Sequence, residues 1–85
     1  MITDDVEARV AQAIVPSEVT ARGDAHRMEV IVISPAFEGV SRVRKQQLVY
    51  AAIAELIRDG ALHAVTIRAY TPAERDTIDS AVTGH

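Results

Sequence analysis

Apolar and polar positions change spacing several times along this chain. Val6, Val10, Ala13 and Ile14 recur at the interval of one helix face. Asp4 with Glu7 three positions on is a capping-box pattern at the start of that segment, where early acids also suit the positive end of a helix. Pro16-Ser17 ends it. Glu18 to Arg22 reads as a short strand and Gly23 to His26 as a turn. Arg27 to Ser34 is the clearest strand. Met28, Val30 and Val32 fall on one face and Ile31 and Ile33 on the other, which predicts a strand covered on both sides. Pro35 to Gly39 breaks the chain. Ser41 then caps a long helix to about Arg58, with Val43, Gln47, Tyr50, Ala54 and Ile57 as its stripe, widened by Val49, Ile53 and Leu56. Asp59-Gly60 stops it. Ala64 to Tyr70 is a third strand, with Val65 and Ile67 on one face and Thr66, Arg68 and Tyr70 on the other. Thr71 as N-cap, Pro72 at the first helical position and Glu74 two further on open a last helix. Ile78 and Val82 lie one turn apart in it, and it frays before Gly84.

Helix, strand, strand, helix, strand, helix is an α+β order: a three-stranded mixed sheet with helices packed on it. Strands one and two are close enough for an antiparallel hairpin. Strand two, the long helix and strand three form a βαβ unit, expected to be right-handed with its strands parallel. Both strands of that unit then begin at the same end of the sheet. His26 precedes one and His63 the other. If the strands are neighbours, about 4.8 Å apart, two imidazoles at their starts can converge on one ion.

Composition narrows the classes. At 85 residues the chain is expected to be a single domain spanning 1–85. A domain of this size has a marginal core that small extracellular proteins often supplement with disulfides. This chain has no Cys, hence no disulfide, thiol nucleophile, redox dithiol or Cys-based zinc site. A net charge of −3 argues against a generic nucleic-acid module, though not against a local patch. No apolar run approaches the ~20 residues that cross a bilayer. The start, Met1-Ile2-Thr3-Asp4-Asp5, is acidic where a signal peptide is basic, so the expected location is cytoplasmic, away from membranes. No Ser/His/Asp grouping or phosphate-binding loop stands out, and Glu74, Asp76 and Asp79 read as an exposed helix face, not a catalytic pair. The chain is expected not to be an enzyme. Arg42, Arg44 and Lys45 place three cations in one turn at the helix end that disfavours them, a hint of use by an acidic partner or by phosphates; Arg68 on strand three can join them. Phe37 reads as a core anchor, Gly39 as a turn residue and His85 as a mobile terminal residue.

Two stretches carry a resemblance: Val40-Ser41-Arg42-Val43-Arg44-Lys45-Gln46-Gln47-Leu48-Val49-Tyr50, and Leu62-His63-Ala64-Val65-Thr66-Ile67-Arg68-Ala69-Tyr70-Thr71-Pro72-Ala73-Glu74. With the Phe37-Glu38-Gly39 turn and the Val30–Ser34 strand, they resemble the BolA family, and within it the acid-stress-associated IbaG (YrbA) branch. The likeness spans roughly Gly23 to Glu74. It implies a fold similar to a class II KH domain, with an extra helical turn before the long helix. It also implies partnership with monothiol, CGFS-type glutaredoxins in a heterodimer that holds a bridging 2Fe–2S cluster. In that arrangement the glutaredoxin and a bound glutathione supply thiolates. The BolA-type chain supplies a His at the start of its last strand and a His or Cys from the loop before the second strand. His63 matches the first position. For the second, the family pattern Gly-Asp-x-Ser-His-Phe stands here as Gly23-Asp24-Ala25-His26-Arg27-Met28, so without gaps His26 takes the place of Ser and Arg27 that of His. His26 is the available nitrogen ligand. The Trp frequent after the final Thr-Pro-x-Glu is Arg75, and the family's Arg-His-Arg in the long helix is Lys45-Gln46-Gln47.

The leading expectation is therefore an accessory protein of iron–sulfur handling and stress response, a monomer or weak homodimer when alone, with a cluster only in the complex. The alternative is a KH-like, DNA-binding transcriptional regulator. Against it, KH domains grip the backbone with a Gly-x-x-Gly loop, and no two of Gly23, Gly39, Gly60 and Gly84 are three apart. A third reading is a metal-free, stress-linked interaction module in which His63 is structural.

Overall fold

The structure is a computed structural model, described here for the backbone of residues 1–83 and the side chains of residues 1–77. The chain runs α1 (Ile2–Ala13), β1 (Glu18–Gly23), β2 (Met28–Ile33), a 3-10 turn (Pro35–Phe37), α2 (Arg42–Arg58), β3 (Val65–Tyr70) and α3 (Pro72–Thr83). The sheet order is β1-β2-β3. β1 and β2 are antiparallel, from Glu18 opposite Ile33 to Gly23 opposite Met28. β2 and β3 are parallel, from Met28 opposite Val65 to Ile33 opposite Tyr70. The α+β class with a three-stranded mixed sheet is as expected, and so is the extra helical turn before α2. Among the described residues no helix is long and apolar enough to cross a membrane.

Strand alternation sorts the sheet into two faces. Met28, Val30 and Val32 face α1 and α2 and are almost wholly buried, together with Val6 and Val10 of α1, Val49 and Ile53 of α2, Phe37 and Leu62. Each such side chain contributes about 1.5–3 kcal/mol by leaving water. The other face carries Thr20, Arg22, Glu29, Ile31, Thr66 and Arg68. Its central residues, Glu29, Ile31 and Ile33, are half-buried. The expectation of cover on both sides of β2 is thus corrected. Among the described residues the second face is shielded mainly by side chains of the flanking strands, with Arg75 of α3 reaching Glu18 at its Ile33 end.

Two helix assignments also change. α1 begins at Ile2, with Met1 as N-cap and no side-chain cap, so Asp4 and Glu7 form no capping box. Glu7 turns toward the sheet instead, and its carboxylate accepts the Ala21 N–H at 2.8 Å. On α2 the buried face is Lys45, Val49, Ile53 and Leu56, while Val43, Gln47 and Tyr50 point to water. On β3, the other edge strand, the Ile67 carbonyl accepts from the Gln46 amide at 2.7 Å. Each exposed sheet edge is therefore blunted by one side chain of the helix packed on it.

The caps at Ser41 and Thr71 are as expected. Ser41 Oγ accepts from the Arg44 N–H. Thr71 Oγ1 accepts from the Glu74 N–H, and Glu74 Oε1 accepts from the Thr71 N–H at 2.8 Å. Ser34 caps the 3-10 turn, whose Phe37 is buried in the core. Gly60 ends α2 with a positive φ of 79°. The expectations for Ile78, Asp79, Val82 and His85 lie outside the described residues.

Candidate functional site

The parallel pairing of β2 with β3 brings the starts of both strands to one end of the sheet. Three sets of contacts fix what lies there. First, Gly23 leaves β1 with φ +106°, and a Cβ at that position meets the Arg27 carbonyl oxygen at 2.2 Å, so only glycine permits the turn. Second, Asp24 closes the loop over residues 24–27. Its Oδ1 accepts from the N–H groups of His26 at 2.9 Å and Arg27 at 3.1 Å, and its own N–H donates to the Arg27 carbonyl. The bonds from Arg27 and then His26 hold the Asp24 carboxyl below its ordinary value. Third, the chain before β3 is tied to this loop. His63 N–H donates to the Ala25 carbonyl at 2.7 Å, and Met28 N–H to the Ala64 carbonyl at 3.0 Å.

His26 and His63 are thereby placed side by side. Their rings stack with centroids 5.1 Å apart and planes 8° from parallel. Both residues are exposed. His26, one position before the place the family pattern gives to His, lies in the loop over residues 24–27 with its ring against that of His63. The adjacency on which convergence of the two imidazoles depends is therefore present.

This donor set has a defined chemistry. Two neighbouring, solvent-facing imidazoles suit iron and other borderline metals. Among the described residues no group of three or more His, Cys, Asp or Glu gathers in a metal-binding arrangement. A four-coordinate site needs further ligands, so a metal held by this pair would take the rest of its ligands from another molecule. It fits a metal group whose remaining ligands come from elsewhere.

The basic residues separate into different places. Arg42 and Arg44 are exposed on the first turn of α2. Arg42 shares a depression with Gln46, Arg68 and Tyr70 along the outer edge of β3. Lys45 does not belong to that surface, and its assignment to a partner- or nucleic-acid-binding patch is corrected. Its side chain is 9% exposed and its ammonium donates to Glu74 Oε1 at 2.7 Å. Lys45 and Thr71 together hold the Glu74 carboxyl at about 2. Arg68 lies on the face of the sheet opposite α1 and α2, and its Nε donates to Glu29 Oε2 at 2.9 Å. Arg42 sits beside Tyr70, the end of β3. Tyr70 is five strand residues, roughly 17 Å, from the start of the strand that follows His63. The histidines and the α2 cations are therefore at opposite ends of the sheet.

Asp24 and Gly23 are positioning residues that the candidate set lacked. The signal for them was local: Gly followed by Asp two residues before His is Asx-turn chemistry.

Residues 5–74 match the family model described as "BolA-like protein". The chain belongs to the BolA family. It is 42% identical over 74 residues to the acid stress protein IbaG of Escherichia coli (strain K12), covering 87% of this chain and 88% of that one. This agrees with the IbaG branch of the BolA family. Among solved structures it is similar to a BolA protein homologue from Coxiella burnetii, with a TM-score of 0.75, 32% identity and coverage of 87% and 95% of the two chains. It is also similar to BolA1 from Arabidopsis thaliana, with a TM-score of 0.75, 26% identity and coverage of 85% and 93%. The BolA fold thus accounts for the parallel strand pair that carries the two histidines.

Proposed function

We propose that this BolA-like chain is a non-catalytic accessory protein of iron–sulfur handling and stress response in the cytoplasm. It pairs with a monothiol, CGFS-type glutaredoxin, and His63 and His26 act as its nitrogen ligands to a shared 2Fe–2S cluster. The observation that carries the reading is the stacked, exposed His26–His63 pair at the starts of adjacent parallel strands. The likeness to a protein named for acid stress supports the stress assignment. With no cysteine, this chain leaves the thiolates to the glutaredoxin and to glutathione. Such a cluster supplies a one-electron centre, and ligation by imidazole raises its potential relative to an all-thiolate one. The chain's own part is to hold two imidazoles in register. Gly23 and Asp24 shape the loop, and the His63 N–H bond to Ala25 locks it to β3.

The test mixes the chain with such a glutaredoxin, glutathione, iron and sulfide, then isolates the complex and records its visible spectrum. A heterocomplex with cluster absorption that changes in His63→Ala supports the reading. Absence of any heterocomplex overturns it, and an unchanged spectrum in His63→Ala removes the ligand assignment. The DNA-binding alternative loses Lys45 from its patch, since that ammonium is buried against Glu74.

A further inference from the structure

The face of the sheet opposite α1 and α2 carries, at its histidine end, a cationic depression separate from the one that Arg68 shares with Arg42. At the histidine end of the sheet, Arg22 of β1, Arg27 of the loop and Arg68 of β3 surround a depression of about 390 Å³ that also touches Gly23, Glu29 and Thr66. Three guanidiniums face a single carboxylate there, so the depression carries a local excess of positive charge in a chain whose net charge is −3. The other acid nearby, Asp24, is turned into the N–H groups of its own loop.

Glu29 shows what these guanidiniums recognise. Its carboxylate bridges two of them, Arg22 Nη2 at 3.4 Å and Arg68 Nε at 2.9 Å. Glu29, and after it Tyr70, holds the Arg68 guanidinium above its ordinary value. Arg22 and Arg68 are thus aligned on either side of β2. Arg27 makes no ion pair among the described residues and is exposed. It also sits next to His26 in the loop.

We propose that this arginine surface docks an acidic segment of a partner protein, seating carboxylates against Arg22, Arg27 and Arg68 beside the histidine pair. Guanidinium planes match carboxylates in a fork geometry that a lysine surface lacks. The surface is short, on a chain whose net charge is −3, which suits a few carboxylates and not an extended phosphate backbone. The inference deepens the shared-site reading. A partner that brings thiolates to His26 and His63 is oriented by acids seated next to them.

The test titrates the isolated, 15N-labelled chain with a tetraglutamate peptide and follows amide shifts. The expected result is saturable shifts at Gly23, Arg27 and Thr66, at least about tenfold weaker affinity on raising NaCl from roughly 20 to 200 mM, and at least about fivefold weaker binding in Arg22→Ala and Arg27→Ala. A tetralysine peptide is expected to produce none of these shifts. Absence of saturable binding at low salt, or shifts confined to Arg42 and Arg44, overturns the proposal. Tighter binding at the same residues by a single-stranded DNA oligonucleotide also overturns it. Because the titration uses no glutaredoxin and no cluster, it is independent of the shared-site reading, which fails separately if no heterocomplex forms.

Discussion

The Lys45–Glu74 pair offers a quantitative test of how α3 is fastened. Lys45 is 9% exposed and Glu74 is 47% exposed, with 2.7 Å between ammonium and carboxylate. The same carboxylate accepts the Thr71 N–H in the cap of α3. Lowering a carboxyl from 4.5 to about 2 corresponds to an upper bound of roughly 3 kcal/mol in favour of the ionised form. Solvent around the half-exposed carboxylate reduces this to about 1–2 kcal/mol. The folded-state value is depressed. Its contribution is therefore fully present above about 4.5 and is lost as pH falls toward about 2. Glu74→Gln keeps a cap acceptor and loses only charge, so it should cost about 1–2 kcal/mol in urea unfolding at neutral pH. Glu74→Ala also removes the cap, for about 1 kcal/mol more. Lys45→Met keeps the buried volume and leaves the cap intact, so its cost should be about 1 kcal/mol or less. The double variant Lys45→Met/Glu74→Gln should show a coupling of about 1 kcal/mol. If Glu74→Gln costs below about 0.3 kcal/mol and the coupling vanishes, Lys45 is hydrated on its own and the pair does not fasten α3.

Other perturbations probe the site and the core. Gly23→Ala forces a Cβ to 2.2 Å from the Arg27 carbonyl at a φ of +106°; it should destabilise the fold by about 2 kcal/mol or more and shift the His26 resonances, and a variant with wild-type stability refutes the turn geometry. Asp24→Ala frees the His26 and Arg27 N–H groups, so amide exchange across residues 24–27 should accelerate with little change in global stability; unchanged protection of those amides contradicts this. Glu7→Ala removes the acceptor of the Ala21 N–H and should cost about 1–3 kcal/mol by thermal or urea unfolding, whereas a solvated, helix-capping Glu7 predicts almost none. On α2, Ile53→Ala should cost about 2–5 kcal/mol and Val43→Ala within about 0.5 kcal/mol of zero, following their exposures of 0% and 66%; the reverse order restores the stripe through Val43, Gln47 and Tyr50.

Much of the fold was legible because its cues are local. Alternation marked β2, Ser41 and Thr71 marked helix starts, and Gly60 marked an end. What escaped were contacts between residues far apart in sequence. On α2 the apolar spacing picks out Val49, Ile53 and Leu56 but also Val43, Gln47 and Tyr50, because a lysine on the core side breaks the apolar pattern. Lys45 is tolerated there only because Glu74, 29 positions on, supplies the counter-charge. Glu7 looked like a cap because its bond to Ala21 spans 14 residues. The histidine pair was legible conditionally. Both residues precede strands of a parallel pair, and the strand order turned shared direction into stacking. The Arg22–Arg27–Arg68 surface was not legible, since it needs the β1–β2–β3 register that aligns Arg22, Glu29 and Thr66 in one row.

The central claim is that this chain contributes nitrogen to a cluster completed by another protein. Pulsed electron paramagnetic resonance on the reduced heterocomplex, prepared with a monothiol glutaredoxin, reads that bond directly through 14N coupling. The account predicts an imidazole coupling in the wild-type complex that is lost or altered in His63→Ala while the chain stays folded. An intact cluster with no nitrogen coupling, or the same coupling in a His26→Ala/His63→Ala complex, contradicts it.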